Sequence, residues 1–411
     1  MTPPERVGPR PRWRSQTLAA FDAPYFPRIL LSGAIWNITR WMNLFLGAFL
    51  AAELTESPIL LQLVGATIFA PFLLGGAIGG LISDRFDRRL TVIAYLTFLT
   101  PISLAIAALV LTGEIRIWML YPYGILAGFG WVVDLTTRRA LVADVVGPEL
   151  VTNAFSLEAL SSSFGGVLGA IGGGAIIGLI GIGEAYLVVS VLLVAAVVVL
   201  LTVPSHTRIQ TATAPWREDL RAGIAMLPRQ RPLVSILGVT LVMNLFFFSY
   251  VSFVPEIAED LGVSAFATGV LSAANTIGAM CAAILVASMR NPPRGRLYVF
   301  GSFFALVLMP VFALANVYAL ALAALILSGF GVGGFVTMQF TLVTGAVEPA
   351  ARGRALGLMS TVIGVLPFGS ILLGLIAESI GVGPAIAASA GAGILLLVLW
   401  LLRWPEALRL P

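Results

Sequence analysis

The stretch GGLISDRFDRRLT, Gly79 to Thr91, sets Asp84, Arg85, Asp87, Arg88 and Arg89 within six residues, between two long apolar runs. Elsewhere the chain is sparing with charge. Of its 411 residues, 59% are hydrophobic and 11% charged, and the mean hydropathy is +0.99. A water-soluble globular chain carries about a quarter charged residues, so the runs flanking the cluster are built for lipid. No stretch is polar enough to form a sizeable water-soluble domain.

A helix needs roughly 20 apolar residues to cross a bilayer, and only helices or closed barrels satisfy their backbone there. Continuous runs, rather than short alternating segments, select helices. Twelve spans are expected, at 28–52, 58–82, 90–112, 117–138, 152–180, 184–203, 232–255, 265–289, 297–315, 317–345, 355–378 and 383–402. The fold class is therefore an all-α integral membrane protein.

Orientation follows from the basic residues, all 24 of which are Arg. With both termini inside, 22 of the 24 fall in inner segments, leaving Arg116 outside and Arg40 within the first span. The outer loops carry Glu53, Glu56, Glu114, Glu184, Glu259, Asp260 and Glu378. This split obeys the positive-inside rule and places the opening stretch on the inner face. The N-terminal MTPPERVGPRPRWRSQ lacks an apolar core with a small-residue cleavage site, so it is expected as a cytoplasmic tail. The basic balance belongs to topology, and no nucleic acid is expected as a partner. One Cys (Cys281) and one His (His206) exclude a disulfide framework or a Cys/His metal cluster. Cys281, in an apolar run, is expected to be packing.

The chain repeats itself. A shift of 201 residues aligns GFGWVVDLTTRRALVADVVGP (Gly128–Pro148) with GFGVGGFVTMQFTLVTGAVEP (Gly329–Pro349). Gly128, Phe129, Gly130, Thr136, Leu141, Val142, Val146 and Pro148 all recur, and Ala154 and Leu157 match Ala355 and Leu358. The expected organisation is a tail at 1–27, a six-span half at 28–203, a linker at 204–231, a second half at 232–402 and a tail at 403–411. Within the linker, WREDLRAGIAML (Trp216–Leu227) alternates charged and apolar residues at helical spacing up to Pro228. It reads as an amphipathic helix on the inner leaflet.

Gly80, Leu81, Asp84, Arg85, Arg88 and Arg89 together resemble the G-x-L-x-D-R-x-G-R-R loop between spans two and three of the major facilitator superfamily. Asp87 stands where that family usually has Gly. The second half lacks a full copy: SMRNPPRGRL has Met289 where Asp84 would be. The resemblance implies two pseudo-symmetric halves that rock about a central site. It also implies a latch, with Asp84 at the start of span eleven near Arg354 and Arg88 pairing with Asp144. A carboxylate favours the positive end of a helix dipole, so such contacts would hold the inner mouth shut.

In span five, SSSFGGVLGAIGGG (Ser161–Gly174) carries Gly165, Gly169, Gly173 and Gly174, close to a G-x-x-x-G-P-x-x-G-G signature of superfamily antiporters, with Ala170 in place of Pro. Two readings stay open: small residues for close helix packing, or an antiporter hinge. A family Arg in the outer half of span four is absent, Gly124 standing there. Arg139-Ala-Leu-Val, Asp144, Pro148 and Asn153-Ala are similar to the efflux branch that includes enterobactin and macrolide exporters.

Arg40, Asp134 and Glu158 lie within spans, where each charge costs about 2.5–3.5 kcal/mol or more unless partnered or wet. Asp134 precedes Arg138 by one turn, so an ion pair competes with a cargo or proton role. Glu158 shares a helical face with Ser161, Ser162, Gly165 and Gly169 and has no basic neighbour in sequence. It is the stronger candidate for a group that loads and releases a proton, against a structural hydrogen bond or a pair with Arg40. Asn37, Arg40 and Trp41 suit a cavity wall for an amphipathic or anionic ligand, unless Arg40 simply neutralises Asp134 or Glu158. Asn244, Asn275 and Gln339 are the counterparts from the second half. Phe246, Phe247, Phe248 and Tyr250 read first as lipid-facing or packing residues.

No nucleotide-binding loop, nucleophile–base pair or metal cluster appears, so neither enzyme nor cofactor is expected. The expected function is proton-driven export of a small amphipathic molecule by a monomer in the bacterial inner membrane, with protons, cargo and lipid as partners. An importer or uniporter on the same fold, and a lipid or lysolipid mover, are the alternatives.

Overall fold

The computed structural model describes residues 16–73, 85–204, 224–348 and 351–410. Gly80 and Asp84 of the expected latch, and 216–223 of the expected amphipathic helix, lie outside the described residues. Each expected span has a helical counterpart. In the first half these are α1 (Phe26–Leu54), α2 (Pro58–Phe69, continued by a 3-10 turn Ala70–Leu73), α3 (Arg88–Leu111), α4 (Ile117–Val146), α5 (Val151–Ile180) and α6 (Ile182–Leu201). The second half has α7 (Arg231–Asp260), α8 (Ala265–Ser288), α9 (Arg294–Ala313), α10 (Tyr318–Gly345), α11 (Arg352–Ile380) and α12 (Val382–Arg403). A last turn, α13 (Glu406–Arg409), follows. Among the described residues, nine helices are long and apolar enough to cross a membrane. α1 and α4 have similar lengths, 29 and 30 residues, and more polar positions.

Local chemistry sets the helix ends. Asp87, the residue that departs from the family loop, is the N-cap of α3 and accepts a hydrogen bond from the Leu90 amide at 2.8 Å. Ser264 caps α8 in the same way. α5 passes to α6 through Gly181 alone, at φ 111°, and α11 passes to α12 through Gly381 alone, at φ 85°. Side-chain-bearing residues rarely adopt that backbone, so the same device recurs in both halves. α7 is irregular: a π turn (Met243–Phe247) and a 3-10 stretch (Phe248–Phe253) interrupt it.

Packing repeats between halves. α1 packs on α5 and α6, α3 on α4 and α6, and α2 on α4; α8 and α9 pack on α10, and α9 on α12. The halves meet mainly where α5 crosses α8 and α2 crosses α11. Many large apolar side chains face outward, Leu179 at 82% and Leu402 at 77% exposure among them, while Asp134, Arg138, Asn244 and Gln339 are buried. That inversion suits a lipid solvent. Cys281, expected as packing, is exposed on α8. Lipid is as apolar as a core, so hydropathy does not distinguish the two surroundings.

Candidate functional site

The helices carry a polar cluster in each half and a cavity between them. In the first half, Arg138 Nε donates to Asp134 Oδ1 at 2.7 Å, and the Tyr95 hydroxyl donates to the same oxygen. Arg138 also reaches Ser32 Oγ at 3.4 Å and the Tyr95 hydroxyl at 3.5 Å. Of the two readings of Asp134, the ion pair with Arg138 is present. Arg40 pairs with no carboxylate among the described residues. Its Nη2 donates to Ser162 Oγ at 2.6 Å, and its guanidinium lies 4.6 Å from the Trp131 ring and 5.7 Å from the Trp41 ring. Glu158, half-buried on α5, makes no hydrogen bond or ion pair among the described residues, so a pair with Arg40 is not formed. The charges bearing on it are Arg138, Asp134 and Arg139.

The repeat places a neutral version of this cluster in the second half. A shift of 201 carries Thr39, Asn43 and Arg138 onto Thr240, Asn244 and Gln339. Thr39 and Thr240 each donate to the carbonyl four residues back. Gln339 Nε2 donates to Thr240 Oγ1 at 3.3 Å, Thr240 shares a 2.7 Å hydrogen bond with Tyr298, and Asn244 donates to the Thr240 carbonyl at 2.9 Å. Two residues expected at the cavity, Asn244 and Gln339, thus serve this cluster.

The cavity, of about 280 Å³, lies between α1 and α5 on one side and α7, α8 and α10 on the other. Trp41 and Asn275, both expected there, line it. Asn37 is behind the wall, donating to Ser161 Oγ at 3.2 Å. The sequence did not single out Ser163, Ser272 or Thr276 as lining, and Ser162 was noted only for sharing a face with Glu158. Phe248 and Tyr250 also line it, while Phe247 is buried in the core. Phe248 and Tyr250 both lie in the irregular part of α7. A larger hollow, about 770 Å³, opens on the acidic face between Glu53, Glu56 and Glu259.

Cross-half contacts gather at that acidic face. The Glu378 carboxylate accepts from Ser57 Oγ at 3.1 Å and from the Ile59 amide at 3.3 Å, capping the start of α2 from α11. Gln62 Nε2 donates to the Ser249 carbonyl at 3.0 Å. Gly174 lies so close to Ala265 and Gly269 of α8 that a Cβ would strike the Ala265 carbonyl. Gly165, Gly169 and Gly173 face α1 within their own half. Toward the arginine-rich face, the packing across the halves that the described helices show is Gly364 of α11 against Phe72 and Leu73.

At the arginine-rich end, Arg88 pairs with Asp144 and donates to the Ala140 carbonyl at 3.3 Å, fastening α3 to α4. Arg89 donates to the Leu200 and Leu201 carbonyls at 3.1 and 2.8 Å, closing the end of α6. Arg85 is exposed. Gly124 has a packing cause: a Cβ there would crowd Thr67 and Ile68 of α2.

Two six-helix halves that together wall a central cavity are the architecture of a membrane transporter. The chain belongs to the Major Facilitator Superfamily, whose family model matches residues 29–366 and 236–410. It is 22% identical over 213 residues to the uncharacterized MFS-type transporter YfiS of Bacillus subtilis, and it spans about half the length of that curated relative (50% of each chain is covered). Its fold is similar to the inward-facing, unoccupied crystal structure of a bacterial homolog of the human lysosomal transporter Spinster, with TM-score 0.70, 15% identity, and 94% and 97% of the two chains covered. It is also similar to a D-xylose-proton symporter, with TM-score 0.74, 16% identity, and 93% and 99% covered. At such identities the likeness establishes the fold alone.

Proposed function

We propose that the protein exports a small amphipathic molecule by alternating access, driven by inward proton movement through Glu158. One observation carries this reading: both halves wall a central cavity with aromatic, hydroxyl and amide side chains, and a carboxyl with no partner among the described residues sits one helical turn from its Ser162. By the positive-inside rule the arginine-rich face is cytoplasmic. Cross-half packing that, among the described residues, is concentrated at the opposite face then fits a state closed to the outside. Asp134, engaged by Arg138 and Tyr95, acts as the anchor of that network rather than as a carrier. Asp84, on the loop that the Arg88–Asp144 pair anchors to α4, closes the cytoplasmic mouth against α11 in the opposite state, with Gly174 at the pivot.

A proton-independent uniporter is the second reading, favoured by Gly124, which leaves no room for an arginine against α2. The test is growth of a pump-deficient bacterial host on a panel of toxic amphiphiles, with dye-reported proton flux in proteoliposomes for any compound exported. Wild type is expected to protect, and Glu158→Gln to abolish both protection and proton flux at unchanged membrane abundance. Protection that persists without a proton gradient sinks the coupling. If Glu158→Gln, Asp134→Asn and Arg40→Ala all protect as wild type does, the site is misplaced.

A further inference from the structure

We infer that the cavity takes an organic anion, a compact aromatic body bearing one carboxylate, whose acid is read by Ser162 with Arg40 and the Trp41 N–H behind it; this rests on the transport reading above. The lining contains no Asp, Glu or Arg, so polarity comes from groups at its edge. On the first-half wall these groups are donors. Ser162 Oγ already accepts from Arg40 Nη2 at 2.6 Å, which leaves its own O–H to donate toward the cavity. Trp41 lines the cavity with its ring, and its indole N–H, buried with no acceptor among the described residues, lies just behind that surface. Arg40 Nε is likewise buried without an acceptor.

Arg40 has no counter-ion of its own among the described residues. The carboxylate that acts on it through space is Asp134, which is already held by Arg138 and Tyr95. A guanidinium lying against two indoles and relayed through a serine leaves this wall positive when Glu158, one turn from Ser162, carries its proton. Buried donors and charge of one sign are satisfied by a ligand carrying the other. The opposite wall offers Phe248 and Tyr250 for an aromatic body and Asn275 and Thr276 at its margin. At about 280 Å³ the cavity is at the small end for ligand sites, which favours a fused two-ring compound over a large drug. The acidic hollow beyond, with Glu53, Glu56 and Glu259, would lower the affinity for an anion whenever the cavity opens to that face.

The test is calorimetric binding to the full-length protein in nanodiscs at neutral pH, using three probes on one skeleton: 1-naphthaleneacetate, 1-naphthaleneacetamide and 2-(1-naphthyl)ethylamine. The carboxylate is expected to bind about tenfold or more tighter than the ammonium probe, with the amide between them. Ser162→Ala keeps the shape of the wall, and Trp41→Phe keeps an aromatic ring there while removing the N–H. Each is expected to weaken the carboxylate about five- to tenfold and the amide by less, because bonds to an ionised acceptor are the stronger. The inference is overturned if the ammonium probe binds as tightly as the carboxylate. It is also overturned if both variants weaken all three probes alike, or if none of the three binds. Should the ammonium probe prevail while export persists in the growth assay, the charge assignment falls and the transport reading stands. Loss of export in the growth assay counts against that reading instead.

Discussion

Asp134 is the residue on which the first-half cluster turns, because its carboxylate meets both Arg138 and Tyr95 in a buried site. Removing one partner of a buried ion pair leaves the other charge uncompensated, at about 3–5 kcal/mol. Asp134→Asn is therefore expected to lower thermal stability in detergent by that amount. The double variant Asp134→Asn/Arg138→Gln, which copies the glutamine found at the repeat-equivalent Gln339, should recover most of it. A double variant no more stable than Asp134→Asn would show that the pair is not what holds the cluster. The Asp134–Arg138 pair was legible in the sequence from its four-residue spacing. Tyr95 was not, because it comes from a different helix and no local pattern links the two.

At the scale of the helix, α5 uses two faces. Gly165, Gly169 and Gly173 admit α1, whereas Gly174 admits α8 from the other half. The spacing announced close packing, but it did not say which neighbour each glycine meets, since one residue's rotation separates the two faces. Gly174→Leu is expected to force the crossing apart at a cost of about 1–3 kcal/mol or more, read as a fall in melting temperature. Gly172→Leu, which points into open space, should change stability little. Equal effects at the two positions would refute the crossing. α7 marks the limit of pattern reading: its hydrogen-bonding changes at Met243, and the sequence carries no signal that Phe248 and Tyr250 reach the cavity.

For the whole molecule, the transport reading requires the two faces to move reciprocally. Spin labels at Glu149 and Asn291 report the arginine-rich face, and labels at Glu114 and Val317 the acidic face, all exposed positions best placed in a Cys281→Ser background. Adding a transported compound should shorten the first distance and lengthen the second. Changes of the same sign, or none, would exclude rocking of the halves about the cavity. The sequence by itself determined the twelve spans and the doubling at 201 residues; its arginines predict an orientation, and the family resemblance implied the Arg88–Asp144 partnership that the structure contains. Hydropathy, charge asymmetry and repetition act along the chain and can be read there. Only the tertiary structure decided that Arg40 answers to Ser162 and two indoles rather than to an acid, that Asn244 and Gln339 serve a neutral twin of the charged cluster, and which side chains meet at the cavity. Those are contacts between helices, and in a bundle bathed in lipid the face turned to a neighbour and the face turned to the bilayer can be equally apolar.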